Sequence, residues 1–179
     1  MTIFINRTMS GRTERADQRG VYADAPDVAV TTDLSTTAMP GGTLGGDAAA
    51  VFGAVNWLTN PGVVRRRVAA SDGVPFQVST SVFPPEVIAA APQIAEQDTG
   101  AGGFLSRLED AGFDLDMSAS LTHAEAGDRG RSDVSTKLDV DRGEALWREV
   151  WTVKDATSGQ VLAVTESFYP AHRVGFTFA

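Results

Sequence analysis

VVRRRVAASDGVPFQVSTSVFP, residues 63–84, sets three consecutive arginines inside what otherwise reads as a buried β-hairpin. Arg65, Arg66 and Arg67 lie among Val63, Val64 and Val68, and beyond Asp72-Gly73 come Phe76, Val78, Val82 and Phe83. A one-residue change of register sends the opposite set of side chains to a given face of a sheet. The length of the turn therefore decides where the guanidiniums go. A two-residue turn at Asp72-Gly73 puts Arg65 and Arg67 among Phe76, Val78 and Val82, where buried charge is costly. A three-residue loop, Ser71-Asp72-Gly73 with Gly73 left-handed, sets Arg67 opposite Gln77, Arg65 opposite Ser79 and Val63 opposite Ser81. Val64 and Val68 then join the apolar set, and Arg66 is the one charge left on it. This second register is the one expected. Its polar face is either the solvated side of a sheet or the lining of an anion pocket, and spacing alone leaves both open.

The same reasoning applies to EALWREVWTVKDATSGQVLAVTESFY, residues 144–169. A five-residue loop from Asp155 to Gly159 places Arg148 directly opposite Glu166, as an exposed cross-strand ion pair. The other face collects Trp147, Glu149, Trp151, Thr165, Ser167 and Tyr169. That set is either an aromatic core layer or a ligand site.

Working outward, residues 1–19 are polar, carry four arginines and read as an arm or linker. A short strand is expected around Val28–Thr32. Asp47 offers an N-cap for a helix running to Leu58, with Val51, Phe52, Val55 and Leu58 on one stripe. PPEVIAAAP is a short helix bounded by prolines, and a longer helix starts after Gly103 and stops at Gly112. Residues 113–123 alternate as a strand, SDVSTKLDV is a short helix, and VGFTFA is a closing strand. Hairpin-linked strands with helices laid against them make an α+β fold built on an antiparallel sheet.

At 179 residues the chain fits one domain of residues 20–179 plus the arm, and 42% apolar with 21% charged residues is the balance of a globular chain. A net charge of −8 argues against nonspecific attraction to nucleic acid or anionic membranes. With no cysteine, disulfides, thiolate nucleophiles and cysteine-built zinc sites are excluded. His123 and His172 are far apart and form no metal-binding spacing, so neither a metal nor a cofactor is expected. GAGG at 100–103 is neither a Walker loop nor a dinucleotide fingerprint. No segment is apolar for long enough to act as a signal peptide or to span a bilayer, which reads as a cytoplasmic protein.

Three stretches together resemble a known family. The 63–84 string resembles an R-x-R strand, a D-G-x-P turn and a strand ending in proline. EQDTGAGGFLSRLEDAGF resembles the helix that follows, and the 143–178 segment resembles the closing hairpin with its tyrosine. In order and spacing they are similar to the UTRA domain, the effector-binding part of GntR-type transcription regulators, over about residues 20–179. The resemblance implies a chorismate-lyase-like antiparallel sheet and a homodimer that binds a small molecule. It implies that Arg65 and Arg67, with the amides of Gly102, Gly103 and Phe104 at a helix start, contact an acidic effector. Tyr169 carries over from the final strand. Gln77, Ser79, Trp147, Glu149, Trp151 and Thr165 join the expected binding set because they share those faces.

The chain also departs from the family. Sugar-phosphate-binding members have a glutamate at the position of Ser79, a tyrosine at that of Leu105 and a glutamate at that of Ala163. A larger, flatter, more apolar ligand with one acidic group fits better. Nothing before residue 20 reads as the winged helix-turn-helix, so DNA binding by this chain is not expected. The reading is an excised sensor module or a stand-alone protein. The second includes a lyase or cyclase of secondary metabolism with Glu149, Tyr169, His172 or Arg67 as acid, base or anion clamp.

Overall fold

The computed structural model describes residues 3–6, 28–37, 43–53, 61–127 and 132–177. Its centre is a six-stranded sheet in the order β2 (Val28–Thr37), β3 (Gly62–Ser71), β4 (Val74–Phe83), β7 (Val161–Pro170), β6 (Ala145–Asp155), β5 (Leu115–Glu125), with every neighbouring pair antiparallel. A second, two-stranded sheet pairs β1 (Ile3–Asn6) in parallel with β8 (Val174–Thr177). The segment 3–6, expected as part of the polar arm, forms a strand. The rest of the arm lies outside the described residues.

The arginine hairpin turns in two residues, not three. Asp72 and Gly73 have φ of 50° and 77°, the left-handed pair that a tight two-residue hairpin turn demands, and Ser71 faces Val74. On its own that turn would bury Arg65 and Arg67 among the valines. The ladder prevents this by shifting between Ala69 and Ala70, which face Gln77 and Pro75 and leave Phe76 as an extra residue. Beyond the bulge Arg67 faces Ser79, Arg65 faces Ser81 and Val63 faces Phe83. The expected partners are displaced by two residues. Because two is a full side-chain period, each residue keeps the face assigned to it.

The second hairpin repeats the pattern. Arg148 faces Phe168 and Glu166 faces Val150, again two residues from the expected pairing, with a shift between Val153 and Lys154. The expected gathering of Trp147, Glu149 and Trp151 against Tyr169, Ser167 and Thr165 is therefore intact.

Each face has its own cover. The back carries Val64, Val82 and Val164 under α1 (Gly46–Ala50), through Leu44, Ala48 and Phe52. It also carries Val78, Leu146 and Phe168 under α4 (Ser132–Leu138), through Val134 and Leu138. On the front, Phe83, Val153 and Ala163 lie under α2 (Pro85–Ala90), a 3₁₀ turn (Pro92–Ala95) and α3 (Gly103–Asp110). Phe83 meets Phe104 edge-to-face at 5.0 Å. At the other end of the front, Ile5 and Val174 of the small sheet pack on Ala69, Phe76 and Tyr169.

The Asp47 helix is shorter than expected and starts at Gly46, with Gly45 in the capping position. Gly53, at φ 62°, follows the helix and its last turn. Val55 and Leu58 lie outside the described residues. Asp47 does not cap: both its oxygens accept from Arg148 Nη1 and Nη2 at 2.7 Å. Arg148 Nε donates to Glu166 Oε1 at 2.6 Å, and the Gly45 amide donates to Glu166 Oε2 at 3.0 Å. The Arg148–Glu166 pair thus forms on a diagonal of the back face. It is buried, not exposed, because α1 closes over it.

Burial works against the Arg148 charge, but the bonds to Asp47 and Glu166 outweigh it and raise its pKa. The Arg148 bond in turn holds the Asp47 carboxyl below its ordinary 3.8. An acid whose pKa is depressed by folding stabilises the fold above its unfolded value, and that contribution is lost as pH falls through the lower folded value. Stability measured by urea denaturation should decline on acidification below about pH 4. Asp47→Asn should flatten part of that decline, by under about 1 kcal/mol because the Asp47 side chain is 68% exposed.

Candidate ligand-binding site

On β4 the sequence alternates Gln77, Ser79, Ser81 with Val78, Thr80, Val82. Strand geometry turns that into a front lined by small polar groups and a back set in the core. Pairing then aligns the front residues of all six strands in rows across the sheet. One row runs Thr32, Arg67, Ser79, Ser167, Glu149 and Leu121. The next, toward the helices, runs Leu34, Arg65, Ser81, Thr165, Trp151 and Ala119. Both rows lie between the helical cover and the small sheet.

The two expected arginines play different parts. Arg65 is buried, and its guanidinium donates to the carbonyls of Ile94 (2.7 Å), Gln97 (3.0 Å) and Glu96. It is a tie for the loop that leads into α3, with three of its five N–H donors on that backbone. Burial lowers its pKa and the nearby Arg67 charge adds to this, while Asp98 opposes it. As an arginine it stays protonated. Arg67 is half-buried in the adjacent row, and no described residue offers it a hydrogen bond or an ion pair. Arg66 points to the back, where its Nη1 meets Asp133 Oδ2 of α4 at 2.5 Å. That pairing accommodates the one charge left over on the apolar face.

A buried hydrogen-bonded chain crosses the middle of the front. Gln77 Nε2 donates to the Tyr169 hydroxyl at 2.8 Å and to Ser167 Oγ at 3.3 Å, and Tyr169 donates to Glu149 Oε2 at 2.8 Å. Ser81 and Thr165 share a hydrogen bond of 2.8 Å. Tyr169 is wholly buried, with Phe176 of β8 edge-on at 5.1 Å. Of the residues expected to act as acid or base, Glu149 and Tyr169 come together. His172 does not join them: it is exposed in the β7–β8 turn, beside Glu144 and Arg173.

The α3 start is only partly as expected. Gly102 and Gly103 have φ of 79° and 67°, so the chain enters the helix through two left-handed residues that glycine tolerates. The Gly103 amide already donates to the Gly100 carbonyl at 3.2 Å, which removes it from the expected anion-binding set. A Cβ at Gly102 would lie 1.9 Å from Ser106 Oγ. Gly102→Ala should therefore cost about 1–3 kcal/mol, read as a lowered midpoint in thermal denaturation.

Ser81 was not expected as a site residue, although its parity with Ser79 was a usable signal, and Ser167 was placed on this face but not in the binding set. Gln97 had no such signal. It comes from an aperiodic loop, yet its Nε2 reaches the Thr32 carbonyl at 3.2 Å, next to Arg67 in the row. Among the described residues no cluster of His, Asp or Glu could hold a metal ion, and no helix is long and apolar enough to cross a membrane.

An antiparallel six-stranded sheet with helices on both faces is the fold of the effector domains of GntR-family transcription regulators. A putative GntR-family transcriptional regulator superposes with a TM-score of 0.75 at 14% identity, over 100% of this chain and 69% of that one. The effector domain of PhnF from Mycobacterium smegmatis superposes at 0.66 and 18%, over 99% of this chain and 98% of that domain. The C-terminal domain of YurK from Bacillus subtilis superposes at 0.64 and 16%, with each chain covered completely. At these identities the likeness is one of fold. No family model and no curated protein matches the sequence.

Proposed function

We propose that the chain is a small-molecule sensor, the effector-binding module of a GntR-type transcription regulator. It acts in the cytoplasm as a homodimer and makes no contact with DNA itself. Its ligand is a flat, fairly apolar metabolite with one acidic group, received on the front face. The observation that carries this is the contrast between the two arginines. Arg65 gives three donors to backbone carbonyls, while Arg67 stands without a hydrogen-bond or ion-pair partner among the described residues, beside Ser79 and one row from Trp151. A half-buried guanidinium with open donors is suited to a carboxylate or a phosphate. The aromatic and hydroxyl groups across the sheet suit a planar body with few hydroxyls of its own.

The test is a titration followed by tryptophan emission, since Trp151 lies in one of the rows and Trp147 four residues before it on the same face of β6. Benzoate, indole-3-acetate, naphthoate and phenyl phosphate serve as probes, with benzyl alcohol as the uncharged control. Saturable quenching by at least one acid but not by the alcohol supports the proposal. No saturable response to any acid overturns it.

A further inference from the structure

The back of the sheet, away from Arg67, has a concave place of its own. β5 and β6 pair so that Ser118 faces Thr152, Ser120 faces Val150 and Thr122 faces Arg148. These residues share the parity of Arg148 and therefore point to the back. There α1 covers Val64, Val82 and Val164 through Ala48 and Phe52, with Val150 at the margin. Beyond that margin a cleft of about 220 Å³ lies between α1 and β5, lined by Asp47, Val51, Ser118, Ser120, Val150 and Thr152 among others. Thr152 is only 8% exposed, yet its hydroxyl bonds to no described residue, and neither do the exposed hydroxyls of Ser118 and Ser120. A buried hydroxyl without a partner costs free energy that a bound polar group recovers. The charge is also one-sided. One guanidinium, that of Arg148, serves two carboxylates, Glu166 within and Asp47 at the cleft. The Asp47 side chain is 68% exposed, and a carboxylate has room for more than two donors. No described lysine or arginine lines the cleft.

We infer that this cleft is a second binding site, and that it takes a small organic amine in its protonated form. An ammonium group has three donors and no acceptor, which suits one carboxylate ringed by hydroxyls. It donates to Asp47 as a charge-assisted bond and to the hydroxyls of Thr152, Ser118 and Ser120. A short alkyl stem lies on the methyl groups of Val51 and Val150. The volume exceeds the roughly 150 Å³ that holds benzene, which sets the ligand at about six to ten non-hydrogen atoms. An anion would meet the Asp47 charge head-on, and a neutral alcohol would leave that charge unmatched. The chain's net charge of −8 adds a longer-range attraction for cations. The site lies on the opposite face from Arg67 and does not depend on the ligand proposed for the front.

Pentylamine is the probe, with pentan-1-ol and pentanoate as neutral and anionic controls. The amide NMR spectrum of the isotopically labelled chain, at about neutral pH where the amine is charged, follows each titration. Pentylamine should shift the amides of Ser118, Ser120 and Thr152 saturably, with a Kd of about 1 mM or below, and the controls should not. Asp47→Asn should weaken that binding about tenfold or more, and Thr152→Val about threefold or more. Ser120→Lys sets a tethered ammonium in the cleft and should abolish the response. No saturable shift at the cleft, shifts confined to the front, an equal response to pentan-1-ol, or unchanged affinity in a folded Asp47→Asn chain would each overturn the inference. If Asp47→Asn does not fold, unchanged affinity in both Thr152→Val and Ser120→Lys overturns it equally. The probe carries no acid, so a failed acid titration at the front does not bear on this site.

Discussion

Arg148→Leu should lower the free energy of unfolding by about 3–5 kcal/mol, the cost of removing one partner from a buried ion pair. The Glu166 side chain is only 4% exposed, and it accepts from Arg148 Nε at 2.6 Å and from the Gly45 amide at 3.0 Å. Without Arg148 its buried charge would lose the guanidinium that pairs with it. Asp47 would lose both of its bidentate bonds, but it is largely exposed and rehydrates at little cost. The loss therefore falls mostly on Glu166, and a second substitution shows this. Adding Glu166→Leu to Arg148→Leu should restore much of the stability, since a pair of apolar residues on this face would pack against Ala48 and Val164. Urea denaturation of the two variants and the native chain measures both effects. Similar stabilities for Arg148→Leu and the native chain would show that α1 does not shut water away from Glu166.

Arg67→Ala should weaken binding of an acidic probe by about ten- to a hundredfold, the loss of a charge-assisted bond of about 1.5–3 kcal/mol. Its stability should stay within about 0.5 kcal/mol of the native chain, because no described hydrogen bond or ion pair is lost and the repulsion it exerts on Arg65 disappears. Arg65→Ala should behave differently. It strips the carbonyls of Ile94, Glu96 and Gln97 of their donor, so it should cost about 1–3 kcal/mol and lower the melting temperature. Probe titration beside thermal denaturation separates the two roles. Equal affinity in Arg67→Ala and the native chain would return this strand to a solvated sheet face.

The separation of Arg65 from Arg67 was not legible in the sequence. The two residues share parity, neighbours and a family pattern, and both were expected at an anion. What distinguishes them is a loop thirty residues downstream, Ile94–Gln97, whose carbonyls settle over one and not the other. No periodicity announces such a loop. The same holds for Asp47. Its position before an apolar run reads as a helix cap, while the structure gives it to an arginine a hundred residues away on β6.

The faces of the strands were determined by the sequence itself, and for a physical reason. Burying guanidiniums among Val64, Val68, Val78 and Val82 costs more than a bulge, so hydrophobic patterning fixes parity whatever the turn does. The turn chemistry of Asp72-Gly73 and that parity pull toward different registers, and Phe76 absorbs the conflict by standing out of the ladder. A local rule and a global one disagreed by one residue. Only the tertiary structure, in which Phe76 finds Tyr169 and Val174 to pack against, decided that a bulge and not a longer loop would reconcile them.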